Sequence, residues 1–304
     1  MNILIAGGTG LIGQRLTDML VNNGHTVHIL SRQKRTNKKF VKYFEWTVGE
    51  YIDQKAFFNQ DSKTVVDGII NLTGAGIADK RWTSGRKKEI ISSRVRPAQF
   101  IQNTLLDLKV QVPVYISASG VNYYNNSKAK HYKEADNVGD GFVQHVCKLW
   151  EEQAFNMKNV ASRISVIRTG VVLAKKKSFL QKFTATIKIG VAGIFGSGHQ
   201  FLSWIHIDDL CHFYIHAIEN KNINGSYNAG ICNEDTHLSF LKAYRNTTKK
   251  KFIILKAPNL IAKLVFGEMA ILLTEGVSVS HQKMLESEFR PEFTTVEKAL
   301  ENLY

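Results

Sequence analysis

The segment NILIAGGTGLIG, residues 2–13, constrains the fold of this chain more than any other. Asn2 to Ala6 is short and apolar, and glycines follow at positions 7, 10 and 13. From Leu11 to Val21 the apolar residues Leu11, Ile12, Leu16, Met19 and Leu20 recur at helical spacing. HTVHILSR, His25 to Arg32, reads as a second strand. A strand, a glycine turn, a helix and another strand make a βαβ unit, which requires parallel strands. Each glycine answers a local need: Gly7 for the tight turn, Gly10 for close approach of a pyrophosphate, Gly13 for packing the helix on the strand. The helix start then offers free N–H groups and partial positive charge to an anion, with Thr9, Leu11 and Ile12 around it.

The alternation continues. GIINLTG (Gly68 to Gly74), VPVYISAS (Val112 to Ser119) and RISVIRTG (Arg163 to Gly170) read as buried strands. Helices are expected from about Ser84 to Leu106 and over Phe142 to Phe155. The expectation is therefore an α/β protein with a Rossmann-like, doubly wound parallel sheet and a smaller, mostly helical lobe on the substrate side. Residues 1–170 form the nucleotide-binding part. Residues 171–256 supply the remaining sheet elements and the lobe, including a helical FLQKFTATIKIG and a helix capped by Asp208 or Asp209. Residues 257–304 are a mostly helical end.

The end of the second strand selects the cofactor. An NAD site usually has a carboxylate there; this chain has Ser31 and Arg32, then Lys34 and Arg35. Cations in that place suit the 2′-phosphate of NADP(H). INLTGAG and ISAS resemble two strand segments of extended short-chain dehydrogenases, and that resemblance adds Leu72, Thr73, Gly74 and Ser117 to the expected cofactor site. The net charge of +14 favours anionic ligands. The lysine runs at 175 and 249 are not interleaved with aromatics, so solvated surface is preferred over a nucleic-acid groove. Cys147, Cys211 and Cys232 lack zinc spacing, and His206, His212 and His216 lack a matching glutamate, so no metal is expected. No apolar run reaches a membrane span, and the N-terminus has no signal-peptide pattern, so a cytoplasmic protein without membrane partners is expected.

These motifs resemble the extended branch of the short-chain dehydrogenase/reductase superfamily, through GGTGLIG, INLTGAG, ISAS and WIHIDDL. NLTGAGIADKRWTSGRKKEIISSRV, YISASGVNYY, GFVQHVCKLWEEQA, IRTGVVLA, GIFGSGHQFLSWIHIDDL and FGEMAILLTEG follow in the order of a narrower group, the atypical epimerase family proteins of the YfhF/YfcH type. That group carries a short C-terminal domain of unknown function, here about Ala257 to Leu303. The resemblance implies an NADP(H)-binding, epimerase-like or oxidoreductase protein acting on a small molecule. It also implies a homodimer. It names no substrate.

The resemblance puts Ser119 at the position of the superfamily's catalytic serine. The tyrosine and lysine that normally accompany it share a helix face, four residues apart. Aligning Glu151 with the acid that follows that lysine places Val143 and Cys147 at the pair, and neither can do its chemistry. Tyr124 and Lys128 have the spacing, but the turn-forming NNS between them argues against a helix. Three readings stay open. A displaced Tyr123 or Tyr124 acts beside Ser119; other groups act, such as Lys80, Arg81, Glu134 or His206; or the protein binds NADPH without turnover, as a regulator or scaffold. Lys80, Arg81 and Trp82 form a basic, aromatic loop suited to an anionic substrate, and Arg168 either joins it or pairs with a nearby acid.

Overall fold

The computed structural model describes residues 1–58, 66–127, 131–175, 180–181, 184–231 and 234–304. Its centre is an eight-stranded sheet. The strands are β1 (Asn2–Ala6), β2 (Thr26–Ser31), β3 (Val41–Thr47), β4 (Tyr51–Ile52), β5 (Gly68–Asn71), β6 (Val112–Gly120), β7 (Ala161–Thr169) and β11 (Gly225–Ala229), in the spatial order β11-β7-β6-β5-β1-β2-β3-β4. All neighbours pair in parallel except β3 and β4. The order reverses between β1 and β5. The carboxyl ends of the strands therefore flank one crevice, the place where open α/β sheets bind ligands.

Alternation along each strand builds two cores. Ile3 and Ile5 face one way and pack with Leu16 and Leu20 of α1 (Leu11–Asn22) and Phe213 of α4 (Ile207–Glu219). Leu4 and Ala6 face the other way, with Ile101 and Leu105 of α2 (Ser84–Asp107) and Ala154 of α3 (Phe142–Phe155). Helices thus cover both faces, as a doubly wound sheet requires. Thr83 starts α2 by accepting the N–H of Arg86.

Two small parallel ladders complete the strands: β8 (Val171–Leu173) with β10 (Trp204–His206), and β9 (Val191–Phe195) with β12 (Ile253–Ala257). Further helices are α5 (His237–Thr248), α6 (Asn259–Phe266), α7 (Ile271–Thr274), α8 (Gln282–Glu286) and α9 (Val296–Leu303). Of FLQKFTATIKIG, Leu180 and Gln181 are α-helical as expected, the part from Ala185 to Ile189 is a 3₁₀ turn, and residues 179, 182 and 183 lie outside the described residues. The cap of α4 is a correction: His206 Nδ1, not Asp208 or Asp209, accepts the Asp208 N–H at 3.2 Å. Asp208 is instead held by Arg15 of α1, and Asp209 faces the C-terminal segment. No helix among the described residues is long and apolar enough to cross a membrane.

Candidate functional site

The glycine turn follows β1 directly. Gly7 takes φ +84°, a value that side chains resist. It sits so close to the next strand end that a Cβ there would lie 2.8 Å from the carbonyl carbon of Leu72. At Gly13 a Cβ would lie 2.5 Å from the Gly7 oxygen and 2.6 Å from the Gly8 Cα, so the close helix–turn packing depends on its absence. Gly10 is exposed, and a Cβ there would meet only the Gly7 oxygen, at 3.3 Å. Helix α1 has no side-chain cap and no acid in its first turn. Its first N–H groups lie beside Thr9 and Gly10, which are exposed, while Leu11 and Ile12 lean on the core.

At the end of β2 the Ser31 hydroxyl donates to the Gln33 carbonyl at 2.7 Å and accepts the Gln33 N–H at 3.2 Å, which shapes the turn. Arg32 and Arg35 are exposed beyond it, and Arg35 lies 5.9 Å from the Tyr43 ring centre. After β5, Thr73 donates its hydroxyl to Asn71, and Gly74 is exposed at the crevice. Ser117 is fully buried, with its hydroxyl given to the Ala118 carbonyl.

Farther along the same edge, sheet register aligns Ser119, Arg168 and Asn228 in one row across β6, β7 and β11. Glu151 of α3 reaches this row from above. The Ser119 hydroxyl donates to Glu151 Oε1 at 2.7 Å. Arg168 grips both carboxylate oxygens, Nε to Oε1 at 2.9 Å and Nη2 to Oε2 at 2.8 Å. All three residues are buried. Arg168 Nη1 also donates to the Tyr124 hydroxyl at 2.6 Å and to the Glu134 carbonyl at 3.1 Å. Tyr124 in turn donates to Asn228 at 2.9 Å, and Asn228 N–H donates to the Glu134 carboxylate at 2.8 Å. Burial works against the Arg168 cation, but the bonds to Glu151 outweigh it and raise its pKa above the ordinary value.

The two tyrosines differ. Tyr124 is fully buried, stacks on Tyr132 at 4.8 Å, and is pushed up to about 12 by burial despite Arg168. Tyr123 is only partly buried and lies on the Arg168 guanidinium, 3.7 Å from Cζ to the ring centre. Burial raises its pKa, and Arg168 opposes that rise. Lys128, the spacing partner of Tyr124, lies outside the described residues. Val143 and Cys147 are both buried on α3, and burial pushes the Cys147 thiol up to about 12.

Other expected residues lie apart from this row. His206 is fully buried, its ring 3.9 Å from that of Phe293, and burial lowers its pKa to about 4. Trp82 is a packing residue: its indole N–H donates to the Ile77 carbonyl and its ring meets Phe142 edge-on at 5.0 Å. Arg81 donates to the Leu264 carbonyl at 3.3 Å, which ties the loop to α6, while Lys80 is exposed. Sequence reading used Glu151 only as an alignment marker and passed over its role as the hub of the row. Asn228 was given no role, because its segment SYNAG was read only as a short strand matching the family.

A parallel sheet reversing at β1/β5, a glycine turn in that crevice and a polar row ending at Ser119 define a Rossmann-type dinucleotide-binding protein of the extended short-chain dehydrogenase class. Residues 3–230 match the model of the NAD dependent epimerase/dehydratase family, and residues 257–303 match a domain of unknown function, DUF1731. The chain belongs to the NAD dependent epimerase/dehydratase family. It is 32% identical over 305 residues to epimerase family protein YfhF of Bacillus subtilis strain 168, covering 100% of this chain and 98% of the relative. It is 29% identical over 307 residues to epimerase family protein SDR39U1 of Homo sapiens, covering 100% and 99%. The crystal structure of human SDR39U1 (isoform 2) with NADPH superposes with a TM-score of 0.85 at 27% identity, covering 100% of this chain and 99% of that one. MoeE5 in complex with UDP-glucuronic acid and NAD shares the fold, with a TM-score of 0.79 at 13% identity over 99% and 96% of the two chains.

Proposed function

We propose that this protein binds NADP(H) in the β1/β5 crevice and acts as an epimerase-like oxidoreductase on a small, anionic hydroxyl or carbonyl compound. The observation that carries the reading is the glycine turn, whose uncapped helix start adjoins a strand end bearing arginines instead of a carboxylate. These residues fit the cofactor: Gly10 leaves room at the backbone, α1 offers N–H groups to the pyrophosphate, and Arg32 and Arg35 suit the 2′-phosphate. NADPH in the human relative supports the same assignment. When bound, the cofactor supplies or accepts hydride.

Ser119 sits at the far end of the polar row. Because its hydroxyl donates to Glu151, its lone pairs are left for a substrate hydroxyl. Glu151 orients Ser119 rather than taking its proton, since Arg168 holds both carboxylate oxygens. Tyr124 is sealed between Arg168 and Asn228, so Tyr123 is the better placed of the two to exchange a proton. Tyr123→Phe is expected to keep NADPH binding and to slow turnover by roughly 10²-fold or more.

The deciding experiment is a fluorescence titration with NADPH and NADH, repeated on Arg32→Glu. Tighter NADPH binding that Arg32→Glu abolishes is expected. Equal or absent binding of both cofactors sinks the reading. A non-catalytic NADPH-binding regulator is the second reading, favoured by the inert, buried Val143 and Cys147 where the resemblance places the usual pair. NADPH oxidation with any member of a carbonyl panel would exclude it.

A further inference from the structure

A helix on the surface of a globular protein normally turns its apolar side inward. Helix α6 does the reverse. Of its residues only Ala262 is buried. Leu260, Ile261, Leu264 and Val265 lie along one side of the helix and face solvent; Leu260 and Leu264 are 67% and 69% exposed. The β9/β12 ladder repeats the pattern. Ala192, Ile194 and Ile254 turn to the main core. On the other face, register sets Ile253 beside Val191 and Leu255 beside Gly193. Ile253 and Leu255 are exposed, and a Cβ on Gly193 would meet no atom within 4 Å. Pro258 alone separates β12 from α6, and the rings of Phe195 of β9 and Phe266 of α6 meet edge-on at 5.8 Å. Ladder face and helix side therefore make one apolar surface, and such contiguous surfaces mark docking sites.

Charge selects the partner. No Asp or Glu occurs in residues 153–207 or 236–267, the two segments that supply this surface. Ile253 N–H donates to the Gly190 carbonyl at 3.0 Å, which seats Ile189, 80% exposed, and its neighbour Lys188 beside the ladder. Lys251 leads into β12, and Lys263 flanks the apolar side of α6; all three lysines are exposed. The centre is thus aliphatic and the rim cationic. Protein interfaces draw on aromatic, Met and Arg anchors and are poor in lysine. A second copy, docked about a two-fold axis, would bring these lysines toward their own equivalents. An anionic lipid surface fits both parts. The acyl boundary takes the leucines and isoleucines, and the headgroup phosphates take the lysines, whose stems lie along the apolar border.

We propose that the open face of the β9/β12 ladder and the outer side of α6 form a docking surface for an anionic membrane, on which the protein lies without crossing it. The expectation of no membrane partner rested on the lack of a spanning segment, and a surface-bound face needs none. The proposal is independent of the NADP(H) reading.

The test is co-sedimentation of the full chain with vesicles of phosphatidylcholine alone and of equal parts phosphatidylcholine and phosphatidylglycerol. A chain of net charge +14 adsorbs weakly to anionic lipid from any side, so variants must separate docking from adsorption. Leu260→Gln/Leu264→Gln keeps every charge and alters only exposed side chains. The expected result is binding to the mixed vesicles, little to phosphatidylcholine alone, and a loss of about tenfold or more in the leucine variant. Lys251→Glu/Lys263→Glu should lose about as much. Lys158→Glu/Lys221→Glu makes the same change of charge at exposed sites on other elements and should lose clearly less. No binding of the wild type to mixed vesicles overturns the proposal. So does wild-type affinity in the leucine variant, or an equal loss in the two lysine variants; either result reports adsorption by overall charge. A lipid-free dimer that the leucine variant dissociates, seen by light scattering, also overturns it and assigns the surface to a second copy. If the leucine variant does not fold, the two lysine variants decide.

Discussion

Arg168 and Glu151 are 4% and 5% exposed, and each is the other's only ion-pair partner among the described residues. Replacing Arg168 by Met strands a buried carboxylate, which costs about 3–5 kcal/mol. Urea unfolding should show that loss, and the double variant Arg168→Met/Glu151→Gln should recover much of it; an unchanged midpoint in the single variant would refute the pairing as a structural element. His206 makes a second residue-scale prediction. Its bond from the Asp208 N–H sets the neutral ring with hydrogen on Nε2, and that nitrogen is buried without a partner among the described residues. Burial depresses its folded-state pKa to about 4, while an unfolded histidine titrates near ~6.5. The unfolded chain therefore takes up a proton first as pH falls. The associated stability is full above about pH 6.5, declines down to about pH 4, and is level below that. Asn at 206 can still cap α4 and does not titrate. The melting temperature of His206→Asn should fall less steeply between pH 6.5 and 4 than that of wild type, though His237, also buried and lowered to about 4, keeps some slope.

At the scale of elements, the glycine turn separates packing from binding. Gly13→Ala drives a methyl into the Gly7 and Gly8 backbone, so α1 must shift; a loss of ~1–3 kcal/mol is expected, with NADPH binding lost alongside it. Gly10→Ala meets only one atom, at 3.3 Å, so its melting temperature should stay near wild type while NADPH binding weakens. Loss of stability in Gly10→Ala as large as in Gly13→Ala would contradict this division. The turn was readable in sequence because each glycine meets a need within six residues of chain. β5, β6 and β7 were readable because buried parallel strands are continuous apolar runs. β3, β9 and β12 were not picked out. Exposed Lys42 and Glu45 break β3, and Ile253 and Leu255 of β12 lie on an exposed edge behind lysines, so neither segment looks buried. The Ser119–Glu151–Arg168 hub was readable only in part: pairing of Arg168 with an acid was one of two readings, but Glu151 was not named as that acid. Its members are 32 and 17 residues apart on three elements, and it takes sheet register for Ser119 and Arg168 and the seating of α3 for Glu151 to bring them together. Trp82 and His206 are residue types that suit ligands, and their contacts here are packing and capping ones.

At the scale of the whole molecule, the C-terminal segment has its own family model yet shares the main core. Phe289, Phe293, Val296, Leu300 and Leu303 lie in the same buried cluster as Ile3, Leu16 and Phe213. Asp209 of α4 accepts the N–H groups of Glu292 and Phe293 at 2.8 and 3.0 Å. Residues 276–280 also wall the polar row. Ser127 N–H donates to the Gly276 carbonyl, Tyr132 N–H donates to the Ser278 carbonyl, and Val277 and Val279 pack against Tyr124. Burial of five such side chains contributes ~1.5–3 kcal/mol each, which rivals the ~5–15 kcal/mol margin of a whole domain. A chain ending at residue 256 should therefore not fold, and full-length protein should unfold in one calorimetric transition. NADPH should move that transition upward as a unit, because the segment that supports Tyr123 and Tyr124 is part of the same cooperative structure as the glycine turn. Two resolved transitions, only one of them shifted by NADPH, would show that the segment folds independently and that the wall of the polar row is not coupled to the cofactor crevice.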